Sequence, residues 1–316
     1  VTGRVVPTGG LPLDVGAIVV NVSTLVNIHM ALQDIPVTTK LVTVGGAVAH
    51  PVTVSAPIGT AIKKLIQAAG GETTECGIII GGPCMGIVVE DIETAVVTKT
   101  TGGVLCIPKG HSLFAKKQKR DELDIRLAKA VCCQCSMCSQ MCPRNALGLN
   151  VLPHKAMRAA AYADKNLLGD YNGLFSCCDC GICTYYACNF GLKPSAIMQG
   201  MKKEFMGNSV KPKKEVYGDA DKGFETKKLP TSRLIARLGL DEYNVPAPIG
   251  IEIDTDFVRI PLKMHIGAPC EPVVAIGESV QKGNLIAQPQ GMGAKIHASI
   301  TGTVRDANKD YIEIRE

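Results

Sequence analysis

Val131-Cys132-Cys133-Gln134-Cys135-Ser136-Met137-Cys138-Ser139-Gln140-Met141-Cys142-Pro143 is the stretch on which the reading of this chain turns. Ser176-Cys177-Cys178-Asp179-Cys180-Gly181-Ile182-Cys183-Thr184-Tyr185-Tyr186-Ala187-Cys188 repeats it further on. Cys132, Cys135, Cys138 and Cys142 are spaced C-x2-C-x2-C-x3-C, and Cys177, Cys180, Cys183 and Cys188 are spaced C-x2-C-x2-C-x4-C. An iron–sulfur cube needs one thiolate on each of four irons. A tight loop with three evenly spaced cysteines wraps three corners and leaves backbone N–H groups free to point at the sulfides. Two such runs imply two [4Fe–4S] clusters. Zinc sites more often show paired CxxC units, alone or with histidine. Disulfides belong to secreted chains, and nothing in the sequence supports that setting. Cys133 and Cys178 share one offset in the two runs, fit no ligand position and read as packing or loop residues.

The remaining composition is that of a multidomain protein. The 316 residues leave room for two or three domains. Hydrophobic residues make up 46%, aromatics only 4%, and tryptophan is absent, so the cores must be built from Val, Ile, Leu and Ala. No apolar run has the length of a membrane span, and the opening residues do not read as a signal peptide. The net charge is +5, with Lys and Arg gathered between Lys109 and Arg120, at Lys202–Lys203 and at Lys211–Lys214. Such clusters can dock an acidic partner, but a solvated face is the plainer reading. Without interleaved aromatics they do not point to nucleic acid. Of 14 cysteines, eight lie at the spaced positions of the runs. Cys76, Cys84, Cys106 and Cys270 are scattered and read as buried thiols, which implies a reducing cytosol. The chain starts at Val1, which reads as a processed product or a fragment of a longer protein.

Taken in order, residues 1–37 read as the tail of a domain, with turns at Thr2-Gly3-Arg4 and Pro7–Gly10, a buried strand over Asp14–Val20 and a helix capped by Ser23. Residues 38–107 read as a small α+β unit of β-grasp type. Its strands are Lys40–Val44, Val52–Ser55, Gly77–Ile80, Thr94–Lys99 and Val104–Ile107, and its helix is Ala61–Ala69 with Ile62, Leu65 and Ile66 on one face. Its glycine pairs match no phosphate-binding loop and read as turns. Residues 108–208 read as a mostly helical two-cluster module, with helices over Asp121–Val131, His154–Leu168 and, capped by Ser195, Ala196–Met206. His154 follows Pro153 and reads as a helix-start residue rather than a ligand, and Met157, Met198 and Met201 read as core. Residues 209–248 read as a linker carrying a short helix, Thr231–Leu238. Residues 249–316 read as short strands, among them Phe257–Pro261, Val273–Ile276 and Tyr311–Ile314, in a barrel-sandwich arrangement. Lys295 lacks the flanks of a lipoylated or biotinylated lysine, which leaves a structural or docking role for that domain.

The first run, with Pro143 directly after Cys142, is similar to that of bacterial two-cluster ferredoxins, in which the fourth ligand of each cluster comes from the other run. That resemblance implies one cluster on Cys132, Cys135, Cys138 and Cys188, and another on Cys177, Cys180, Cys183 and Cys142. Val1–Arg4 with Asp14-Val15-Gly16, Asn21-Val22 and Thr24 resembles the end of the flavin- and NADH-binding domain of respiratory-complex 51-kDa-type subunits. Gly81-Gly82-Pro83-Cys84-Met85-Gly86 and Thr98–Thr101 resemble the β-grasp SLBB domain of the RnfC proteins of Rnf electron-transport complexes, and Ile260–Gly267 resembles their barrel-sandwich module. In RnfC proteins that module is N-terminal. Its C-terminal place here resembles the cobalamin reductases (PduS) of propanediol-utilisation microcompartments. The resemblance implies an NADH-dependent cobalamin reductase with FMN and two [4Fe–4S] clusters, working inside a cytoplasmic microcompartment. Cobalamin or a cobalamin adenosyltransferase, and a shell protein, are its implied partners. The family's glycine-rich flavin and NADH loops and an Asp-x-His-x-x-Gly cobalamin motif are not found, so no flavin or corrin residue is assigned. An Rnf-type protein serving membrane partners and a non-catalytic microcompartment scaffold are the alternative readings.

Overall fold

Val42 and Val44 alternate with Leu41 and Thr43, and this period of two makes Thr39–Gly46 (β1) a strand with one buried face. The computed structural model describes residues 4–118, 121–216, 218 and 220–316. It divides into a unit of Val20–His111 with Tyr243–Glu316 and a unit of Val1–Val19 with Ser112–Glu242. The Thr2-Gly3 part of the first expected turn lies outside the described residues.

In the first unit, Val22–Ala31 (α1) is capped by the Asn21 side chain, which accepts the Ser23 N–H at 3.0 Å. The cap therefore stands two residues before the expected Ser23, and none of the helix is buried. After β1 come Val52–Pro57 (β2), Ile62–Ala68 (α2), Cys76–Ile80 (β3), Ile87–Val88 (β4) and Gly103–Pro108 (β5). The sheet runs β4-β3-β5-β1-β2 and gains a sixth strand, Ile249–Glu252 (β6), parallel to β2. Ile62, Leu65 and Ile66 of α2 pack on Val42, Val44, Val54 and Val104, the same helix face that the spacing predicts. Gly46 is needed at the sheet centre: its φ is +93°, and a Cβ there would fall 1.9 Å from the Cys106 carbonyl oxygen.

Thr94–Lys99 is not a strand, and only Val96 makes a bridge, to Ala61. The Asp91 carboxylate takes the Glu93 N–H and the Thr94 hydroxyl, and the Thr101 hydroxyl takes the Thr98 N–H. The segment meets residues 59–62 through backbone bonds, Val97 N–H to the Thr60 carbonyl and the Gly59 and Ile62 N–H groups to the Val97 and Ala95 carbonyls, without a continuous ladder, and a side chain takes one of its donors, the Thr98 N–H.

The C-terminal strands are Phe257–Pro261 (β7), Cys270–Pro272 (β8), Ser279–Val280 (β9), Leu285–Pro289 (β10), Ile296–His297 (β11), Gly302–Ala307 (β12) and Tyr311–Arg315 (β13). They form sheets ordered β7-β13-β12-β9 and β11-β10-β8, with no closed barrel. Val258, Ile260, Ile286, Ala298, Ile312 and Ile314 fill the core between them. The expected strand Val273–Ile276 is absent: the ladder's strand ends at Pro272 with one further bond, from the Val273 N–H to the Ile286 carbonyl, and Val273 and Ile276 face solvent. Val274 packs against the core, but an apolar run alone does not make a strand.

In the second unit, Pro12–Val15 is a single 3-10 turn rather than part of a buried strand, and Ile18 and Val19 are each 79% exposed. Asp14 accepts the Leu11 N–H at 2.8 Å, and Gly16 at φ 78° stops the turn. The helices are Ser112–Lys117 (α3), Asp121–Val131 (α4), Met137–Gln140 (α5), Pro143–Ala146 (α6), Pro153–Tyr162 (α7), Asn172–Ser176 (α8), Pro194–Gly207 (α9) and Thr231–Leu238 (α10). α7 is shorter than the expected His154–Leu168, because Ala163 takes the left-handed conformation at φ 52° and a 3-10 turn, Lys165–Leu168, follows. Ser195 is not the cap of α9: Lys193 precedes the helix, and the Ser195 hydroxyl instead meets that of Thr184 at 2.6 Å. Ala156, Met157, Leu174, Ile197 and Met198 form this unit's core. Met157 and Met198 are buried within it, as the sequence implies.

Candidate metal centres

Each cysteine run folds as a loop of the same backbone shape. In the first, Gln134 and Ser136 have φ 56° and 59°; in the second, Asp179 and Gly181 have φ 56° and 75°. The left-handed residues fall at the same two offsets from the leading cysteine. Only one of the four is glycine, and the left-handed conformation costs other residues roughly 1–2 kcal/mol each. Such strain persists where the surroundings over-determine it, as at a ligand clamp. Alternating the sense of the backbone between cysteines turns successive Sγ atoms and N–H groups toward one centre, which forms an anion-binding nest.

The unequal spacing of the fourth cysteine has a geometric cause. α5 carries Cys138 into an α-helical turn, and Cys142 lies four residues later. Cys183–Ala187 is a π-helical turn, and Cys188 lies five residues after Cys183. A π turn absorbs one residue more than an α turn, so the x3 and x4 spacings bring the last cysteine round to a comparable place. Cys142 precedes Pro143, whose fixed φ starts α6. The Arg144 and Asn145 N–H groups point at the Cys142 sulfur.

Cys132, Cys135 and Cys138 line one cavity together with Cys188 of the second run, and Met157, Leu192 and Phe190 wall it. Cys142 of the first run lies close enough to Cys177 and Cys183 to act on both electrostatically. Cys138 also acts electrostatically on Cys183, so the two groups of thiols are neighbours. Burial pushes the Cys138 and Cys177 thiols up to about 12, with further upward pressure from nearby sulfurs at Cys138 and from Asp179 at Cys177. Burial raises Cys142 and Cys183 as well. These thiols keep their protons at neutral pH unless a cation displaces them, because several thiolates in one buried pocket need a positive centre. That donor set, with its inward-turned backbone, fits an iron–sulfur cube. Among the described residues, no group of three or more His, Cys, Asp or Glu side chains is gathered as a single-ion site.

The polar neighbours of the two groups differ. At the first, the Gln134 amide donates to Cys132 Sγ and to the His154 carbonyl, both at 3.2 Å. His154 Nδ1 meets the Ser139 hydroxyl at 2.7 Å, and the His154 N–H donates to the same oxygen at 3.3 Å. Burial, then the nearby Lys155, holds that imidazole below its usual range, in keeping with a neutral ring at the start of α7. At the second, Lys202 of α9 donates to the Cys177 carbonyl at 3.1 Å and pairs with Asp179 at 3.4 Å. A hydrogen bond from the Cys180 thiol and the Arg144 guanidinium hold the Cys178 thiol below its usual range, against burial.

Cys133 is exposed and Cys178 half-buried beside Arg144. Of the scattered thiols, Cys76, Cys106 and Cys270 are buried, but Cys84 is only half-buried, in the turn after β3. Sequence reasoning missed Gln134, Arg144 and Lys202. Lys202 was legible only as part of a basic pair. A larger cavity of about 340 Å³, between α4, α7 and α9, is lined by Ala159, Ala160, Ala196 and Gly200 and holds no cysteine. No helix among the described residues is long and apolar enough to cross a membrane.

Comparison with known proteins matches the SLBB domain family to residues 41–88, the 4Fe-4S dicluster domain family to 131–193 and the RnfC barrel sandwich hybrid domain family to 246–314. The fold is thus the expected α+β combination, and the chain carries the iron–sulfur dicluster domain of an oxidoreductase. Cobalamin reductase PduS of Citrobacter freundii is 36% identical over 99% of this chain and 70% of its own length. The protein of the same name from Salmonella typhimurium has the same identity and coverage. A component of the proton-translocating ferredoxin:NAD(+) oxidoreductase complex of Clostridium ljungdahlii is 34% identical over 53% of this chain and 35% of its own length.

Proposed function

Because the chain belongs to the cobalamin reductase PduS family, we propose that it passes single electrons through two [4Fe–4S] clusters to cobalamin. The observation that supports this reading is the pair of cysteine loops with one backbone shape, with Cys188 of the second run lining one cavity with Cys132, Cys135 and Cys138 of the first. In the proposed ligand sets, Cys132, Cys135, Cys138 and Cys188 hold one cluster, and Cys177, Cys180, Cys183 and Cys142 hold the other. When bound, each cluster supplies a one-electron store without moving a proton.

The chain's own residues do the rest. The left-handed residues Gln134, Ser136, Asp179 and Gly181 give the two loops one backbone shape. Met157, Leu192 and Phe190 wall the first cavity with apolar side chains. Cys135 and Cys133 lie exposed on the first loop, which offers an edge by which electrons can enter or leave. The source of electrons is proposed to be NADH through FMN, and the setting a microcompartment, on the strength of the family alone. The Rnf-type reading is weaker, since those relatives align with about half of this chain.

The test is anaerobic reconstitution followed by iron analysis and EPR. The wild type should carry iron for two clusters, and Cys135→Ser should lose one of them. The chemically reduced protein should then convert cob(III)alamin to a lower oxidation state, as seen in the corrin absorption spectrum. Unchanged iron in Cys135→Ser would refute the ligand set, and a reduced protein that keeps its electrons in the presence of cobalamin would refute the acceptor.

A further inference from the structure

We infer that Lys202 and Arg144 place the second cysteine site above the first in reduction potential, so that one electron shared between the two rests on the site of Cys177, Cys180, Cys183 and Cys142. The inference rests on the ligand sets proposed above and adds an order of potentials to them. Cluster potential follows the net charge around the site, the hydrogen bonds to sulfur and the exposure to solvent. Reduction adds one negative charge, so nearby cations and N–H···S bonds favour the reduced form.

Both features gather at the second site. Lys202 Nζ lies 3.1 Å from the Cys177 carbonyl oxygen and 3.4 Å from Asp179 Oδ2. The Arg144 guanidinium donates to the Cys178 thiol. Asp179 offsets one of these two cations and leaves the surroundings net positive. Backbone N–H groups of Asp179, Ile182, and Arg144 with Asn145 point at the sulfurs of Cys177, Cys180 and Cys142 respectively.

The first site has a different lining. Among the described residues, its cavity wall holds no lysine, arginine or acid, Lys155 beside His154 and Arg237 at 3.2 Å from Asn189 lying outside it; its polar members besides the cysteines are Gln134, Ser136 and His154. The Gln134 amide supplies one neutral N–H···S bond. Burial acts the other way, since Cys142 is buried where Cys135 is exposed. Cys138 and Cys183, one from each loop, are nevertheless equally covered, both being 9% exposed. Full charges in contact with one loop outweigh that difference, because Coulomb energy is largest at contact and little screened where side chains are part-buried. Lys202 meets that condition, with its side chain 23% exposed.

An EPR-monitored redox titration of the reconstituted full chain reads the order directly. Cys135→Ser and Cys180→Ser each remove one signal and so assign the two. The higher-potential signal should be the one lost in Cys180→Ser. Lys202→Met should lower that potential by about 59 mV, a tenfold change in the one-electron equilibrium constant. Lys202→Arg should restore it, and Asp179→Asn should shift it upward. The first-site potential should stay put in all three.

The inference is overturned if the higher-potential signal survives in Cys180→Ser. It is also overturned if Lys202→Met and Asp179→Asn leave that potential unmoved or move it in the same direction. Should Lys202→Met lose the second cluster, the upward shift in Asp179→Asn still decides the matter. If Cys135→Ser and Cys180→Ser abolish the same signal, the ligand sets fall, and the order of potentials with them.

Discussion

The β-rich unit and the cysteine-bearing unit are held together by different means. In the first, Val42, Val44, Val54 and Ile62 of one core, and Ile260, Ile286, Ile312 and Ile314 of the other, are fully or almost fully removed from water. Each such side chain contributes about 1.5–3 kcal/mol, and the ladders satisfy the backbone. In the second, α5, α6 and α8 are four or five residues long. Helices that short are not stable on their own. Alanine takes several of the core positions, and three non-glycine residues of the cysteine loops sit in the left-handed region. The difference teaches that one unit carries its stability in apolar packing, while the other leaves a share of it to its metal.

Iron removal is the sharpest way to break that comparison. Anaerobic chelation should abolish slow amide exchange across α5, α6, α8 and the π turn, because metal binding energy here is folding energy. The strands β1 to β3, β5 and β7 to β13 should keep their protection. Hydrogen exchange followed by mass spectrometry checks this. Equal loss in both units would show that the β-rich unit does not stand on its packing.

A second test asks how much of the cysteine-bearing unit is held without metal. Asp124 and Lys193 pair at 3.4 Å, and each side chain is 5% exposed. Lys193 also donates to the Gln118 carbonyl oxygen, while Asp124 Oδ2 has no hydrogen-bond partner beyond the ion pair. Removing one member of a buried pair strands the other and costs about 3–5 kcal/mol. Asp124→Ala should therefore lower the unfolding free energy of this unit by that much, read from denaturant curves. The double variant Asp124→Leu with Lys193→Met should recover most of the loss. Recovery would mark the pair as a fixing device rather than a source of net stability.

The sequence made the β-rich unit's core strands and the cysteine runs legible for physical reasons. Val42 and Val44 alternate with outward-facing neighbours, and Ile62, Leu65 and Ile66 keep a helical period, so one short window holds the signal. Thr231–Leu238 was readable from its own periodicity in the same way. Thr94–Lys99 misled because it meets residues 59–62 through a single bridge and scattered backbone bonds rather than a ladder, a tertiary outcome that a β-propensity reading does not weigh. The pairing of β6 with β2 joins segments far apart in the chain, Thr53 with Ile249 among them, and no local window contains it. At the cysteine loops, residue type and spacing were visible. The left-handed φ of Gln134, Ser136 and Asp179 was not, because none of the three is glycine. Arg144 and Lys202 come to the second loop only through α6 and α9, so their place there is a product of tertiary packing.

The smallest expected effect looks for a polar weak point in the β-rich unit itself. His297 on β11 is part-buried, and burial, then Lys99 and Lys295, holds its imidazole below the usual histidine range. Lys99 is fixed there by a hydrogen bond to the Lys295 carbonyl oxygen at 2.6 Å, and burial lowers its own pKa as well. With the folded pKa below the unfolded value of about 6.5, the unfolded chain binds the proton more readily. The stability tied to the neutral ring is therefore full above about pH 6.5 and is lost as the pH falls toward the folded pKa. Denaturant unfolding of the β-rich unit at about pH 7.5 and about pH 5.5 should show a drop that His297→Gln makes shallower. An equal drop in both proteins would assign the acid sensitivity elsewhere, and would leave this unit's stability a matter of apolar packing alone.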